Sequence, residues 1–458
     1  MSDKLSWESC ISEARPGKAA SGELHRTHFQ RDYDRLIFSS AFRRLQNKTQ
    51  VFPLPGNTFV HNRLTHSLEV ASVGRSLGAI TGEILASQVI TERAQGFYKY
   101  DLASVVAAAC LAHDVGNPPF GHSGEKAISN YFLQNSDHPT GGRKLRDWFS
   151  ASEWSDLINF EGNANAFHLL TYGYRGKAAY GMQLTYTTLA SILKYPCESA
   201  AVDKQYTHRK KYGFFAADRQ RFEEVVAFTQ MQKDESTPLL AYRRHPFVYL
   251  VEAADDICYR IIDMEDAHRI GIMHTAEVMD AFLGVIGDLE GETGKVKKTL
   301  KALDDANEKI AYLRAKTIST LVNACSRSFA DNQHAILNGL FAGTLIDEAT
   351  TNSPNLREVN RISIEKIYDH HSVIQVEVAG YKVLSEILDI FLKAALNPSK
   401  TALDRKTMQL LPSQFLNLSS PYETALNIVD YVAGMTDGYA MELYRNFMGI
   451  EIRRHGAG

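Results

Sequence analysis

The chain has no run of about eighteen apolar residues, so the sequence predicts no transmembrane helix. Its opening residues, MSDKLSWESCISEARPGK, lack the apolar core of a secretory leader. Cysteine is scarce: five residues in 458 (Cys10, Cys110, Cys197, Cys258 and Cys325), odd in number, far apart and without a CxxC pair. That excludes a disulfide framework and predicts reduced thiols in a soluble, cytoplasmic protein. An excess of one charge is also lacking. At a net charge of -3 no overall basic field advertises nucleic-acid binding, so any such surface has to be local. Sustained alternating strands, a βαβ rhythm and internal repeats are all missing. Disorder is excluded as well, since 44% of residues are hydrophobic and 22% charged.

What remains is helical periodicity almost throughout. RDYDRLIFSSAFRRLQNKTQ carries apolar residues at helical intervals from Asp32 and runs into a loop with Pro53, Pro55 and Gly56. A second helix follows through NRLTHSLEVASVGRSLGAITGEILA, and Asp101 is placed to cap a third that ends near His113. Further helices are predicted over Phe120–Leu133, Phe160–Tyr172, Thr185–Leu193 and a long segment from Pro246. Residues 196–217, rich in Lys, Tyr and Gly, read as a loop or short hairpin. Beyond them the pattern is helical to Tyr444, broken at Ser353–Pro354, Asn397–Pro398, Leu411–Pro412 and Ser419–Pro421. The prediction is an all-α protein with short irregular insertions.

The chemistry-bearing residues concentrate in LAHDVGNPPFGHSGE, residues 111–125. The adjacent His113 and Asp114 offer a mixed N/O ligand pair for a hard divalent metal, although an isolated His–Asp is more often a hydrogen-bonded core pair. His122 and Glu125 return after a Gly/Pro turn. Upstream, Arg63 and His66 share one helical face, and His66 taken alone reads first as a core histidine bonded to backbone. Glu161, Asn163 and Asn165 cluster at a helix start, where capping competes with a functional role. In EAADDICYRIIDMED, Asp255, Tyr259 and Asp263 are spaced by four on a largely apolar helix. A carboxylate there needs a partner, and a divalent metal is one.

Taken with their flanks, these blocks resemble a known family. HNRLTHSLEV, LAHDVGNPPFGHSGE, FEGNAN, KYP, EAADDICY and DYVAGMTDGYA, in that order, are similar to the deoxyguanosine-triphosphate triphosphohydrolases, HD-domain enzymes related to the mammalian SAM-and-HD-domain dNTPase. The resemblance covers about residues 26–444. It implies an HD-domain helical core over residues 25–275, an arm at 1–24, and a helical C-terminal region, 276–458, packing on the core and on neighbouring subunits. It implies Mn²⁺ or Mg²⁺ on His66, His113, Asp114 and Asp255, the last preferred over Asp256 because only Asp255 has Tyr and Asp four and eight positions on. His122 and Glu125 are the implied catalytic pair, with Glu125 fixing the His122 tautomer or positioning water. Gln50, Arg63, Asn163, Lys194, Tyr195, Lys211, Tyr259 and Asp263 are the implied substrate contacts, with Lys210 competing for the place of Lys211. Asn117 departs from the SAM-and-HD relatives, which have histidine there.

The implied reaction is cleavage of dGTP, or of dNTPs more broadly, to deoxynucleoside and inorganic triphosphate by metal-activated water. The implied assembly is a homo-oligomer, hexamer before tetramer. The basic clusters HRKK (208–211) and RR (243–244) are candidates for single-stranded DNA or an effector nucleotide, in competition with phosphate contacts or a solvated face. Two alternatives stay open: an HD phosphohydrolase acting on another nucleotide, and a non-enzymatic nucleic-acid-binding scaffold.

Overall fold

The computed structural model describes residues 5–17, 25–52, 60–416 and 419–450. It is helical, and the one sheet among the described residues is a two-stranded hairpin pairing Pro139–Thr140 with Arg143–Lys144. The loop expected around Pro53, Pro55 and Gly56 lies outside the described residues.

Three helices form the centre. Helix α1 (His28–Ile37) starts at a capping box between Thr27 and Gln30. Helix α2 (Arg63–Ala86) starts at Asn62, whose side chain accepts from Leu64 N and Thr65 N. Such a cap contributes about 1 kcal/mol and fixes where the helix begins, hence where Arg63 and His66 point. Helix α3 (Leu102–Ala112) is buried on every side, as its sequence LASVVAAACLA requires. It is not capped by Asp101. The helix enters from Glu92–Gly96 through one π-helical turn at Phe97–Asp101, which leaves Asp101 interior and its side chain without a capping bond.

Helices α2 and α3 meet along a seam of small residues. A Cβ on Gly74 would stand 2.5 Å from Cys110 Sγ, and one on Gly82 2.1 Å from the Tyr98 carbonyl oxygen. Only glycine allows this approach, and the approach brings His66 on α2 beside His113 at the end of α3. Helix α4 (Gly121–Gln134) follows the turn after Asp114, then α5 (Gly162–Thr171) and α6 (Tyr186–Ile192). Helix α7 (Val248–Arg269) packs across α2 and α3 and carries Asp255. Residues 196–217 form three short 3₁₀ turns rather than a hairpin.

Two apolar clusters result. The first joins α1, α2, α3 and α7 to α8 (Thr275–Glu290) and α9 (Ala306–Leu337). The second is built by α4 together with α10 (His371–Leu396), α11 (Pro421–Ala433) and α12 (Asp437–Phe447). The C-terminal helices therefore complete the packing of the segments that carry the site.

A buried ion cluster ties the second group to α5. His168 Nδ1 lies 2.8 Å from Asp218 Oδ2, and its Nε2 3.2 Å from Asp430 Oδ2. Tyr174 Oη donates to the same Asp430 oxygen at 2.7 Å. Burial works against the imidazolium, but the two carboxylates prevail and raise His168 to about 10. A group with a raised folded-state pKa contributes stability that is complete below its unfolded value near 6.5 and is lost as pH rises through about 10. The melting temperature of the wild type is therefore expected to fall from pH 7 to 10. His168→Ala, which strands two buried carboxylates, should cost about 3–5 kcal/mol near pH 7 and flatten that decline. Thermal melts across the pH range check both.

Candidate active site

His66 sits in the first turns of α2, His113 ends α3, and Asp114 follows it in the turn. His113 Nδ1 donates to the Cys110 carbonyl at 2.6 Å. That bond fixes the tautomer and leaves the Nε2 lone pair free for a ligand. His66 Nε2 is 3.1 Å from Asp255 Oδ1, and His113 Nε2 is 3.6 Å from the same oxygen and 3.5 Å from Asp114 Oδ1. The donor atoms of His66, His113 and Asp114 all lie within 4.8 Å of one another. Two imidazole nitrogens and carboxylate oxygens converging at these distances fit a divalent cation.

The carboxylates are prepared for a cation. Burial works to raise both. Arg63 and the two imidazoles nevertheless hold Asp114 below its usual range, and His113 and His66 hold Asp255 well below it. Asp114 is also fixed in place: Oδ2 accepts from Arg63 Nη1 at 2.7 Å and Oδ1 accepts from the Asn117 amide. Arg63, expected on the substrate, is buried against Asp114 and also lines the larger of the two cavities that flank this cluster. Asn117 fills its place by orienting the same carboxylate.

Two cavities open on either side of this cluster, and Asp114, His122 and Asp255 line both. The first, about 160 Å³, is polar and holds Asn163, Lys194, Tyr195 and Lys211. The second, about 360 Å³, is walled by Gln50, Tyr259, Tyr368 and Val373. The larger one alone falls within the roughly 300–1,000 Å³ of small-molecule sites.

His122 is the second residue of α4 and is reached through two left-handed residues, Phe120 at φ 63° and Gly121 at φ 62°. Burial first, then the charges of Arg63 and Lys211, push its imidazole below the ordinary value. Glu125 does not bond to His122. Its Oε1 accepts from Gly162 N at 2.9 Å, and its Oε2 lies 3.8 Å from Lys211 Nζ.

The cations of the first cavity are already paired. Lys194 Nζ is 3.3 Å from Glu252, and Lys211 Nζ is 2.8 Å from Glu161. Lys211 lines the cavity and Lys210 does not. Glu161 caps α5 and holds the Asn163 amide at 2.6 Å, so capping and cavity lining occur together there. In the second cavity Gln50 Oε1 is buried without a hydrogen-bond partner. Tyr259 stacks on Tyr368 with centroids 5.3 Å apart, and Asp263, behind the cavity wall, accepts from Tyr368 Oη at 2.7 Å. Burial raises Asp263 to about 8. Asp256 faces Lys194, Glu252 and Arg260 instead of the imidazoles, and burial raises it to about 7.

Sequence reasoning missed Glu252, which lines the first cavity, and Tyr368 and Glu377, which line the second. Glu252 had a signal, since it lies three residues before Asp255 and four before Asp256 on α7. Tyr368 had none. Four side chains of the two basic clusters are engaged internally: His208, Arg209 and Arg243 converge on Asp234 at 2.7, 3.2 and 3.2 Å, and Arg244 pairs with Glu252 at 2.9 Å.

Residues 63–179 match the HD domain family, and residues 348–446 match the phosphohydrolase-associated domain. The chain is 39% identical to a deoxyguanosinetriphosphate triphosphohydrolase-like protein of Pseudomonas aeruginosa (strain LESB58), over 97% of this chain and 99% of the relative. It is 37% identical to a protein of the same description in Synechocystis sp., over 98% and 100% of the two chains. Against a deoxyguanosinetriphosphate triphosphohydrolase of Yersinia pseudotuberculosis the identity is 31%, over 92% and 94%. No helix is long and apolar enough to cross a membrane among the described residues.

Proposed function

The chain belongs to the deoxyguanosinetriphosphate triphosphohydrolase family of HD-domain phosphohydrolases, and from that premise we propose that it hydrolyses dGTP, first among the dNTPs, to deoxynucleoside and inorganic triphosphate. One observation carries the reading: Asp114, His122 and Asp255 stand where a chamber holding Lys194 and Lys211 meets one walled by Tyr259 and Tyr368. A nucleotide laid across that junction puts its phosphates among the lysines, its sugar among the tyrosines, and its α-phosphorus between them.

His66, His113, Asp114 and Asp255 are the residues that would hold Mn²⁺ or Mg²⁺. Such an ion supplies Lewis-acid polarisation of a phosphate oxygen and a lowered pKa for water. The chain's own groups do the rest. Lys194, Lys211, Tyr195 and Asn163 receive the phosphates, with the lysines exchanging Glu252 and Glu161 for substrate oxygens. His122 gives a proton to the departing 5′ oxygen. Glu125 orients Lys211 and the start of α5. Gln50, whose carbonyl oxygen lacks a partner, accepts from the sugar 3′-hydroxyl. Tyr259, braced by Tyr368 and through it by Asp263, is the wall that excludes a ribose 2′-hydroxyl. In this reading residues 25–275 carry the chemistry, while the C-terminal region closes the sugar wall with Tyr368. Homo-oligomer formation, as a hexamer, is part of the same reading. The exposed apolar side chains of Ile364, Ile374 and Val378 support it.

The test is purified protein with Mn²⁺ and each dNTP, with GTP alongside, and products separated by chromatography. Triphosphate plus deoxyguanosine, with GTP spared, is the expected result. Monophosphate with pyrophosphate, or inorganic phosphate, would instead indicate an HD phosphohydrolase of another class.

A further inference from the structure

The sequence block DYVAGMTDGYA, residues 430–440, lies outside both cavities and has no part in the chemistry described above. Its two aspartates are nevertheless aimed at the segments that build the site. Asp430 clamps His168 of α5, as described. Asp437, at the start of α12, is buried and divides its carboxylate between two backbone N–H groups that are far apart in sequence. Oδ1 accepts from Phe120 N at 3.1 Å, and Oδ2 accepts from Thr49 N at 2.9 Å.

Both acceptors act next to functional side chains. Thr49 precedes Gln50, on a strand-like stretch that runs beside the start of α2 through Thr49–Asn62 bridging and the Arg63 N to Lys48 O bond at 3.2 Å. Phe120 is the left-handed residue two before His122. A bulky side chain rarely holds positive φ unless its surroundings over-determine it. Here they do. The Asp437 oxygen takes the Phe120 N–H, and Gly380 of α10 presses on the ring, where an added Cβ would come within 2.7 Å of Phe120 Cβ. Lys48 adds a third tie, its buried ammonium donating to Asn117 O and Ala433 O at 2.6 Å each.

We propose that Asp437 is a positioning residue for the hydrolytic reaction: one carboxylate from the phosphohydrolase-associated segment sets the spacing between the Gln50 stretch and the Phe120 turn, and so aims His122 across the junction. The phosphohydrolase-associated segment is then part of the site's framework. The inference rests on the reading of His122 as the group facing the leaving oxygen.

Asp437→Asn keeps the shape but turns one of the two acceptors into a donor facing an N–H. It is expected to leave the metal content unchanged and to lower kcat by about 10–100-fold, the scale of lost supporting hydrogen bonds. A positioning role acting through His122 predicts non-additivity: in a His122→Ala background the same change should cost less than about threefold. Hydrogen exchange should rise in the peptides containing Phe120 and Thr49 and stay unchanged across α8 and α9. Equal losses of kcat in both backgrounds, wild-type kcat, or exchange rising uniformly over the molecule would each overturn the assignment. Should Asp437→Asn fail to fold, Gly380→Ala displaces Phe120 while sparing the carboxylate, and it is held to the same two criteria. If His122→Ala costs nothing, the reading of His122 falls, while the exchange measurement still decides whether Asp437 holds both segments.

Discussion

Asp114→Ala is expected to abolish turnover and to empty the metal site. Asp114 stands among His66, His113 and Asp255, with donor atoms of the first two within 4.8 Å of its own. Removing it takes away one carboxylate ligand and one negative charge, and leaves the buried Arg63 guanidinium without its partner at 2.7 Å. The stranded cation then sits beside two imidazoles and repels an incoming divalent ion. Loss of the Lewis-acid contribution, several kcal/mol, corresponds to a rate loss of roughly 10³-fold or more. Metal analysis of the dialysed variant should give near-zero occupancy where the wild type retains ion. Arg63→Ala in the same assay keeps the ligand but loses its orientation and the charge that holds Asp114 below its usual range. Its expected cost in affinity or activity is about 10–100-fold. Full metal retention by Asp114→Ala would remove that residue from the ligand set.

The parts of the site legible in the sequence are those set by local helical spacing or by direct adjacency. His113 and Asp114 are neighbours, Arg63 and His66 lie three apart on α2, and Asp255, Tyr259 and Asp263 follow the helical repeat of α7. Each position needs only a helix of known phase to be placed. The partners of the charged groups were not legible. Lys194 with Glu252, and Lys211 with Glu161, join residues 58 and 50 apart in the sequence through loops that have no period. Glu125 was expected on His122, three residues away on the same helix, but it turns to the Gly162 N–H. The Glu161 cap takes the Asn163 N–H and leaves the Gly162 N–H at the start of α5, and a second carboxylate is drawn to it. Tyr368 lies 105 residues beyond Asp263 and reaches it only because the π-helical turn Ser363–Tyr368 folds back over α7. Tertiary packing alone makes that contact. The misplaced cap at Asp101 has the opposite cause: the local signal was sound, but the upstream helix continued through a π turn and placed Asp101 within it.

His122→Ala is expected to keep the metal and lose most of the rate. None of the converging donor atoms belongs to His122, so metal content and folding should match the wild type. Its imidazole lines both chambers at the junction, where the bond to the 5′ oxygen would break. Without an acid there, the leaving group departs as an alkoxide. General acid catalysis is worth about 10²–10⁴-fold, or about 3–5 kcal/mol, and kcat should fall by that factor while KM changes little. The direction of the pKa shift adds a second signature. In the free protein, burial and the charges of Arg63 and Lys211 push His122 below its ordinary value, so most of it is neutral at pH 7. A triphosphate brings several negative charges into the adjacent chamber and favours the protonated form. An acid must be protonated to act, so activity is lost as pH rises through its pKa. The alkaline limb of kcat, which reports the complex, should therefore lie at higher pH than that of kcat/KM, which reports the free protein. His122→Ala should abolish this separation. Wild-type turnover in the variant, or identical limbs in the wild type, would assign the proton to another donor at the junction.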